Sequence, residues 1–387
     1  MSRLFNKIGL RLTTLALLLA VTHLAHSQGK ELLYLEKTDF LPYMRMNIAS
    51  DNLQTDDNID VTFYHIKLEP FYQTKSIAGE VRVRFNPQRN NLTEIKLNLR
   101  SNFTVSSVKI GATITNHSHT NNILTIPLNG NYNKGDTTEV TISYSGIPQK
   151  PAGTEKGFRF DSYTYNGHEI PAISALSTPY LAHYWYPCKD GPSDKADSIK
   201  VDITVPNQYN GYQLMAVSNG LLLETETIED NRRIFKWAHN YPIVPYYVMV
   251  AVSNYQEISQ TYTNIENGHS FPLKYYTAPF LVSDVTTAVS IMPGALDAFI
   301  HYFGDYPFKD ELYGMTQIGY PGAAIETQTN AIMGGLTSEW RETMVHELSH
   351  MWFANSITNE TWQHIWLNEG FATYAEALYY RYTGISS

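Results

Sequence analysis

Hydrophobic and polar positions alternate along the chain between about residues 59 and 260. Short runs with a period of two recur there, and turn clusters rich in asparagine and glycine separate them. The apolar members of these runs are Tyr64, Ile66 and Leu68, then Val81, Val83 and Phe85, then Ile95, Leu97 and Leu99, then Val140, Ile142 and Tyr144, and then Val201, Ile203 and Val205. This pattern is typical of antiparallel strands with one face in water. The sequence therefore predicts a β-rich domain over residues 56–262.

The pattern changes after about residue 271. Residues 284–303 have apolar side chains at helical spacing and end before Gly304, a candidate helix C-cap. Residues 312–318 and 324–333 have the pattern of strands. Two more helices are predicted, one opening at Thr337-Ser338 and one running through Tyr374, Ala377 and Leu378. Strands and helices within one unit favour an α+β domain over residues 263–387.

The N-terminus has the pattern of a targeting segment. Three basic residues precede an apolar run, Leu12–Val21, which has the length of a signal-peptide core and is too short to span a bilayer comfortably. Ala25-His26-Ser27 then offers a cleavage site before Gln28. The sequence predicts a signal peptide over residues 1–27, export to the periplasm or the medium, and a lead-in segment over residues 28–55. The alternative is an uncleaved segment that anchors the chain in a membrane.

Charge and cysteine content narrow the choice of partner and fold. The chain has 387 residues, enough for two or three domains, and a net charge of −9, which argues against nucleic acid as a partner. Cys188 is the single cysteine, so no intramolecular disulfide can form and the fold must rest on its hydrophobic cores. Cys188 itself is expected to be a small buried hydrophobe. The sequence carries no signal for an oligomeric state.

A metal-binding pattern lies near the C-terminus, in His346-Glu347-Leu348-Ser349-His350. On a helix, residues four apart lie on one face, so the two imidazoles can hold one metal ion while Glu347 reaches a water molecule at the same ion. The alternative is a packing helix with two unrelated histidines. That helix is apolar nearly all round, however, and buried polar side chains need partners. A metal ion would supply them.

A third ligand is available in a second helical segment. Eighteen residues separate His350 from Glu369, which stands in Trp366-Leu367-Asn368-Glu369-Gly370. Zinc sites that perform chemistry typically have three protein ligands and one open position. The sequence therefore predicts a site for one metal ion at His346, His350 and Glu369.

These two motifs resemble the M1 family of zinc aminopeptidases, whose ligand signature has this spacing. The stretch from Thr358 to Trp366 is similar to the branch that contains leukotriene A4 hydrolase and related bacterial aminopeptidases. The resemblance implies one zinc ion per chain and Glu347 as the general base. It also implies a saddle-like antiparallel β domain, supported by Tyr186-Pro187-Cys188-Lys189-Asp190, and a thermolysin-like α+β catalytic domain after it.

A second chemical site follows from the same resemblance. Gly322-Ala323-Ala324-Ile325-Glu326-Thr327 lies where the family has Gly-x-Met-Glu-Asn, with Ile325 in place of methionine and Thr327 in place of asparagine. In the family that glutamate takes the free α-amine of a peptide, and the strand backbone holds the peptide main chain. The resemblance implies that Glu326, with Gly322, Ala323 and Ala324, binds peptide substrates with a free N-terminus. The alternative is a glycine-containing turn with a solvated glutamate.

Two further expectations concern incomplete features. The family stabilises its oxyanion with a tyrosine dozens of residues beyond the third ligand, whereas this sequence ends at Ser387, so the catalytic domain is expected to be incomplete and poorly active alone. The family's second amine contact, a Gln or Glu, has no counterpart in Leu176–Leu181. A zinc hydrolase of a non-peptide substrate and an inactive peptide-binding fragment remain alternatives. Lys189, Asp190, Asp194 and Lys195 are expected to form a solvated turn with weak ion pairs.

Overall fold

The structure is a computed structural model that describes residues 53–151, 154–165 and 167–385. The predicted signal peptide, residues 1–27, and the predicted lead-in as far as residue 52 lie outside the described residues. From Leu53 onward the chain forms one compact unit. Within it, a β region comes first and an α+β region follows.

The β region contains seventeen strands among the described residues. In chain order, β1 to β17 are Ile59–Phe71, Ser76–Pro87, Leu92–Asn98, Thr104–Ile110, Thr113–Thr115, Ser118–Thr120, Ile123–Tyr132, Thr138–Gly146, Gly157–Tyr165, His168–Leu176, Ser198–Pro206, Gln208–Tyr209, Tyr212–Gln213, Met215–Val217, Leu221–Ile228, Arg232–His239 and Ala251–Ser253. The largest sheet has eight strands in the order β15-β16-β11-β1-β2-β8-β4-β5, and every pair in it is antiparallel except β1 with β11. Smaller sheets pair β14-β17-β10-β9, β3-β7-β6 and β12-β13.

The predicted alternation accounts for the core of this region. On β1, Ile66 and Leu68 are buried while Lys67 between them is exposed. Ile66 lies opposite Val81 of β2, which places both on the inner face of the large sheet. Because every second residue faces inward, the period of two becomes a continuous apolar layer. The predicted β-rich architecture is confirmed, and Cys188 is buried within it.

The α+β region has a five-stranded sheet and four α-helices. Its strands β18 to β22 are Gln256–Thr263, Ser270–Thr277, Tyr313–Gln317, Ala324–Ile325 and Asn330–Met333, in the order β18-β19-β20-β22-β21. Helices α1 to α4 are Val282–Ala288, Met292–Phe303, Arg341–Ser349 and Ile365–Thr383. Short 3₁₀ turns of both regions cover Ala182–Tyr184, Pro245–Tyr247, Pro279–Leu281, Val289–Ile291, Ser338–Trp340 and Trp362–His364. Strand β21 is therefore an edge strand close in sequence to the metal-binding motif.

The predicted helix over residues 284–303 is broken into α1 and α2. Pro293 lies in the first turn of α2 and has no backbone N–H to bond the carbonyl of residue 289, where the 3₁₀ turn begins. By length and composition alone the stretch Pro279–Phe303 would suit a membrane span. Met292, Leu296 and Phe299 are instead buried in the core of the α+β region, as expected for a packed helix of a globular domain.

Two sequence predictions need correction. The predicted boundary between residues 262 and 263 falls within β18, which pairs with β19 of the second sheet, so the α+β region includes β18 from Gln256 onward. A period of two marks a strand but not the sheet that it joins. The turn with Lys189 and Asp190 is buried rather than solvated. Lys189 Nζ donates to the Ile59 carbonyl at 2.7 Å and pairs with Asp194 Oδ2 at 3.0 Å, and Asp190 Oδ2 lies 2.7 Å from His183 Nδ1, so each buried charged group has a partner.

Candidate active site

Helix α3 carries the first part of the site. Glu342 in its first turn suits the positive end of the helix dipole, and Met344, Val345 and Leu348 anchor its apolar side in the core. The helix ends at Ser349 and is capped by His350, whose backbone N–H contacts the carbonyl of His346. Both imidazoles therefore lie in the last turn, on the face that looks toward α4.

The three predicted metal ligands come together between α3 and α4. His346 Nε2 and His350 Nε2 are 3.1 Å apart, and Glu369 Oε2 lies 3.3 Å from the first nitrogen and 3.5 Å from the second. Tetrahedral ligands at zinc distances of about 2.0–2.1 Å would be separated by about 3.3–3.4 Å. The observed triangle therefore has the size that one zinc ion requires.

The other ring nitrogens hold the imidazoles in place. His346 Nδ1 lies 2.6 Å from Glu376 Oε1, and His350 Nδ1 lies 3.0 Å from the Phe353 carbonyl oxygen. Since a carbonyl only accepts, Nδ1 of His350 carries a proton, and in the neutral ring Nε2 presents its lone pair to the ligand triangle. This arrangement is the one that orients metal-binding histidines. Sequence reasoning missed Glu376, although it lies two helical turns after Glu369 on the same face.

The electrostatics of the triangle favour a cation. Burial would lower the pKa of His350, but the negative charges of Glu369 and Glu326 outweigh it and raise that pKa to about 9. For Glu369 burial acts in the opposite direction, and the positive charges of the two histidines hold its pKa well below the usual range. Without a metal ion, protons on the imidazoles balance the carboxylates. A divalent cation would take the place of those protons.

Glu347 points into the same site with an unsatisfied oxygen. Its side chain is 5% exposed, and Oε2 has no hydrogen-bond partner among the described residues. Burial raises the pKa of Glu347 to about 8, against the opposing charges of His346 and His350. A buried carboxylate without a partner is costly. Its position beside the ligand triangle therefore suits a group that exchanges a proton with a water molecule there.

Glu326 lies close to Glu347 in the same site. It follows β21 directly, is 8% exposed, and has a carboxylate oxygen within 4.8 Å of ligand atoms of Glu347 and His350. Tyr247 Oη donates to Glu326 Oε1 at 2.8 Å, and Asn355 Nδ2 donates to the Glu326 carbonyl at 2.9 Å. The structure therefore places a buried, oriented carboxylate here rather than a solvated one. Sequence reasoning found neither Tyr247 nor Asn355 as a partner of Glu326.

The residues before Glu326 form an open backbone edge. Ala324 pairs with Met333 of β22, and β21 has no second partner strand among the described residues. Gly322 and Ala323 lie in the loop that leads into β21, and the Ala323 carbonyl accepts from the Gly334 N–H. An edge of this kind can add an extended peptide as a further strand.

Comparisons with known proteins agree with this arrangement. Residues 61–247 match the model of the Peptidase M1 N-terminal domain, and residues 325–385 match that of the Peptidase family M1 domain, together more than half of the chain. The chain is 28% identical over 239 residues to glutamyl aminopeptidase of Homo sapiens, covering 58% of this chain and 24% of the relative. It is 29% identical over 244 residues to aminopeptidase M1 of Arabidopsis thaliana, covering 58% and 26%. The chain thus spans about a quarter of the length of these relatives.

Solved structures share the fold. The M1 zinc metallopeptidase from Deinococcus radiodurans superposes with a TM-score of 0.72 at 24% identity, over 85% of this chain and 72% of that one. A mutant of that enzyme bound to a Tyr-Ser-Ala substrate superposes equally well, with the same coverage of both chains. The likeness extends over both the β region and the α+β region.

Proposed function

Because the chain belongs to peptidase family M1, we propose that it is part of a zinc aminopeptidase that removes residues from the N-terminus of peptides. The resemblance drawn from the two sequence motifs is thus confirmed at the level of the family. The observation that carries the proposed activity is the buried carboxylate of Glu326, which lies within 4.8 Å of Glu347 and His350. A metal site alone is compatible with many classes of hydrolase. A carboxylate fixed next to the metal site indicates a hydrolase that requires an ammonium group on its substrate.

His346, His350 and Glu369 would hold the zinc ion. When bound, zinc polarises a peptide carbonyl and lowers the pKa of a water molecule toward neutrality. Glu347 Oε2 is the proton carrier in this proposal: it accepts a proton from the attacking water and gives it to the leaving amine. Burial raises the pKa of Glu347 in the metal-free site, and a divalent cation beside it would lower that pKa, which leaves the carboxylate ready to accept a proton.

Glu326 and the edge of β21 would hold the substrate. The Glu326 carboxylate pairs with the α-ammonium group, and the backbone of Ala324 and its neighbours adds the peptide main chain as a strand. Because Glu326 is fixed so close to Glu347, a bound ammonium group leaves room for about one residue before the scissile bond. The tripeptide bound by the Deinococcus radiodurans relative supports short peptides as the substrate class.

Export of the protein remains part of the proposal. The segment over residues 1–27 supports it through its basic start, apolar run and cleavage site. The mature protein, isolated from the periplasm or the medium and sequenced from its N-terminus, should begin at Gln28. A chain that retains Arg3 and Lys7 and sediments with membranes would support the uncleaved anchor instead.

A pair of substrates tests the proposed activity. Leucyl arylamide and its N-acetylated form differ only in the ammonium group, so their ratio of kcat/KM measures the requirement for that group. We expect the zinc-loaded protein to cleave the free-amine substrate at least about a hundredfold faster, as expected for a buried charge pair. Glu326→Ala should remove most of that preference and retain zinc. Equal cleavage of both substrates would indicate a zinc hydrolase of another class.

A further inference from the structure

Asn355 connects three parts of the candidate site. It follows the end of α3 and is 1% exposed. Its backbone N–H donates to the carbonyl of the ligand residue His350 at 3.0 Å, and its Nδ2 donates to the carbonyl of Glu326 at 2.9 Å. Its own carbonyl accepts from Lys195 Nζ, which belongs to the β region, at 2.7 Å. Asn355 thus links the metal-bearing helix, through its backbone N–H, to the strand end that carries the carboxylate, through its side chain.

Tyr247 contacts the side chain of Glu326, whereas Asn355 contacts its backbone. It ends the 3₁₀ turn Pro245–Tyr247 and is completely buried. Its Oη donates to Glu326 Oε1 at 2.8 Å, and its carbonyl accepts from Asn219 Nδ2 at 2.9 Å. Burial raises the pKa of Tyr247 well above its usual value, so the phenol keeps its proton and remains a donor. The hydrogen bond from Tyr247 fixes the rotation of the Glu326 carboxylate, and the hydrogen bond from Asn355 fixes the position of the Glu326 backbone.

We propose that Asn355 and Tyr247 are positioning residues that fix the distance between the ammonium-binding carboxylate of Glu326 and the metal ligands. This inference rests on the proposed function. This distance determines which peptide bond is cleaved, because the cleaved bond must lie at the metal while the ammonium group lies at Glu326. Misplacement of a substrate by about 1 Å can lower the rate of cleavage about a hundredfold. The carboxylate of Glu326 must therefore be held in one position.

A structural role alone would have different consequences. If Asn355 only closed the turn after α3, its loss would weaken folding or metal binding and would affect every ligand equally. A positioning role predicts a selective loss, confined to ligands that carry an ammonium group. The readout must therefore separate the ammonium contribution from the metal contribution.

A matched pair of metal-binding inhibitors makes this separation. Leucine hydroxamate and 4-methylpentanehydroxamate share the group that binds zinc and the side chain, but only the first has an amine. Calorimetric titration of the zinc-loaded chain with each compound gives two dissociation constants, and their ratio measures the ammonium contribution without the need for turnover. In Tyr247→Phe we expect this ratio to fall about tenfold, the size of one hydrogen bond to a charged group. In Asn355→Ala we expect it to fall about fivefold, the size of one neutral hydrogen bond, because Asn355 donates to the backbone carbonyl of Glu326. Binding of the compound without the amine, and the zinc content, should be unchanged.

Two controls sharpen the test. Tyr246→Phe removes the hydroxyl of the neighbouring buried tyrosine, which finds no hydrogen-bond partner in the described part of the chain, and should leave the ratio unchanged. Asn355→Leu keeps a side chain of similar size without a donor, and should behave as Asn355→Ala does. Tyr247→Phe is nearly isosteric, so it keeps the proposal testable even where Asn355 variants fail to fold.

The outcomes distinguish this inference from the proposed function. A wild-type protein that binds both hydroxamates equally contradicts the aminopeptidase proposal itself. A wild-type protein that prefers the amine, with Asn355→Ala and Tyr247→Phe retaining zinc and the full preference, overturns the positioning role. Selective loss in these variants, with Tyr246→Phe unchanged, supports it.

Discussion

The two halves of the candidate site are built in different ways. The metal half comes from two helices, with His346 and His350 one turn apart on α3 and Glu369 and Glu376 two turns apart on α4. The amine half centres on Glu326, at the end of a two-residue edge strand. Its partners are distant in sequence, since Tyr247 lies 79 residues from Glu326 and the bond from Lys195 to Asn355 spans 160 residues.

The metal half is determined mainly by local helix geometry, whereas the amine half is determined by tertiary contacts. The helix period alone places side chains at i and i+4 on one face, so the metal half needs little from the rest of the molecule beyond the packing of α3 on α4. The amine half exists only when the β region and the α+β region are correctly docked. Changes at their interface should therefore damage recognition of the ammonium group before they damage metal binding.

The largest expected effect concerns the proton carrier in the metal half. Glu347→Gln keeps the size of the side chain but cannot accept a proton, so we expect kcat to fall about 10²- to 10⁴-fold. Zinc content should remain near one per chain, because Glu347 is not a ligand. Kinetics on leucyl arylamide with elemental analysis checks both. Activity within tenfold of wild type would assign the proton transfer to another group.

The next effect concerns the residue that orients His346. Glu376→Gln removes the charge that holds Nδ1, and we expect zinc affinity to fall about 10- to 100-fold. Competition with a chelating dye gives the dissociation constant. Glu360→Gln, an exposed carboxylate between α3 and α4, is the matched control. If the two variants bind zinc equally well, the contact between Glu376 and His346 has no role in metal binding.

Metal binding should depend on pH with a defined sign. The raised pKa of His350, about 9, means that the metal-free folded protein holds this proton at neutral pH and gains stability from it below the ordinary histidine pKa. That stability is lost as pH rises through about 9. Zinc must displace the proton, so affinity should rise by about tenfold per pH unit between pH 7 and 9 for each proton displaced. Calorimetry in two buffers of different ionisation enthalpy counts the protons, and zero release at pH 7 would be inconsistent with this picture.

The smallest expected effect tests the dependence of the amine half on the β region. Lys195→Met removes the donor to the Asn355 and Ser356 carbonyls. We expect the preference for leucine hydroxamate over the compound without the amine to fall only about threefold, because the change reaches Glu326 through Asn355 alone. Zinc affinity should stay the same, and Lys195→Arg should retain most of the preference. An equal loss of zinc affinity would mean that the two halves are not independent.

The sequence was sufficient for the metal half and for the main outline of the fold. The ligand spacing and the period of two depend on local geometry, which a sequence displays directly. Glu376 was also within reach, since its spacing from Glu369 is helical. Tyr247 could not be predicted from the sequence, because it is one of 28 tyrosines and its bond to Glu326 forms only in the tertiary fold.

Buried charge was the other feature that the sequence concealed. Lys189 and Asp190 have the composition of a solvated turn. Its local ion pair with Asp194 is present, but only the folded chain buries the turn and brings the Ile59 carbonyl to Lys189. The break at Pro293 shows the opposite case. A single residue with a known backbone constraint divided a helix that hydrophobic periodicity predicts as continuous.

Cleavage of a peptide followed by mass spectrometry tests the central claim that both halves act on one substrate. The zinc-loaded protein is incubated with a ten-residue peptide and with its N-acetylated twin. We expect the free peptide to shorten one residue at a time from its N-terminus, while the acetylated peptide remains intact. Cleavage within either peptide, or equal trimming of both, would contradict the assignment of Glu326 as the anchor for the ammonium group.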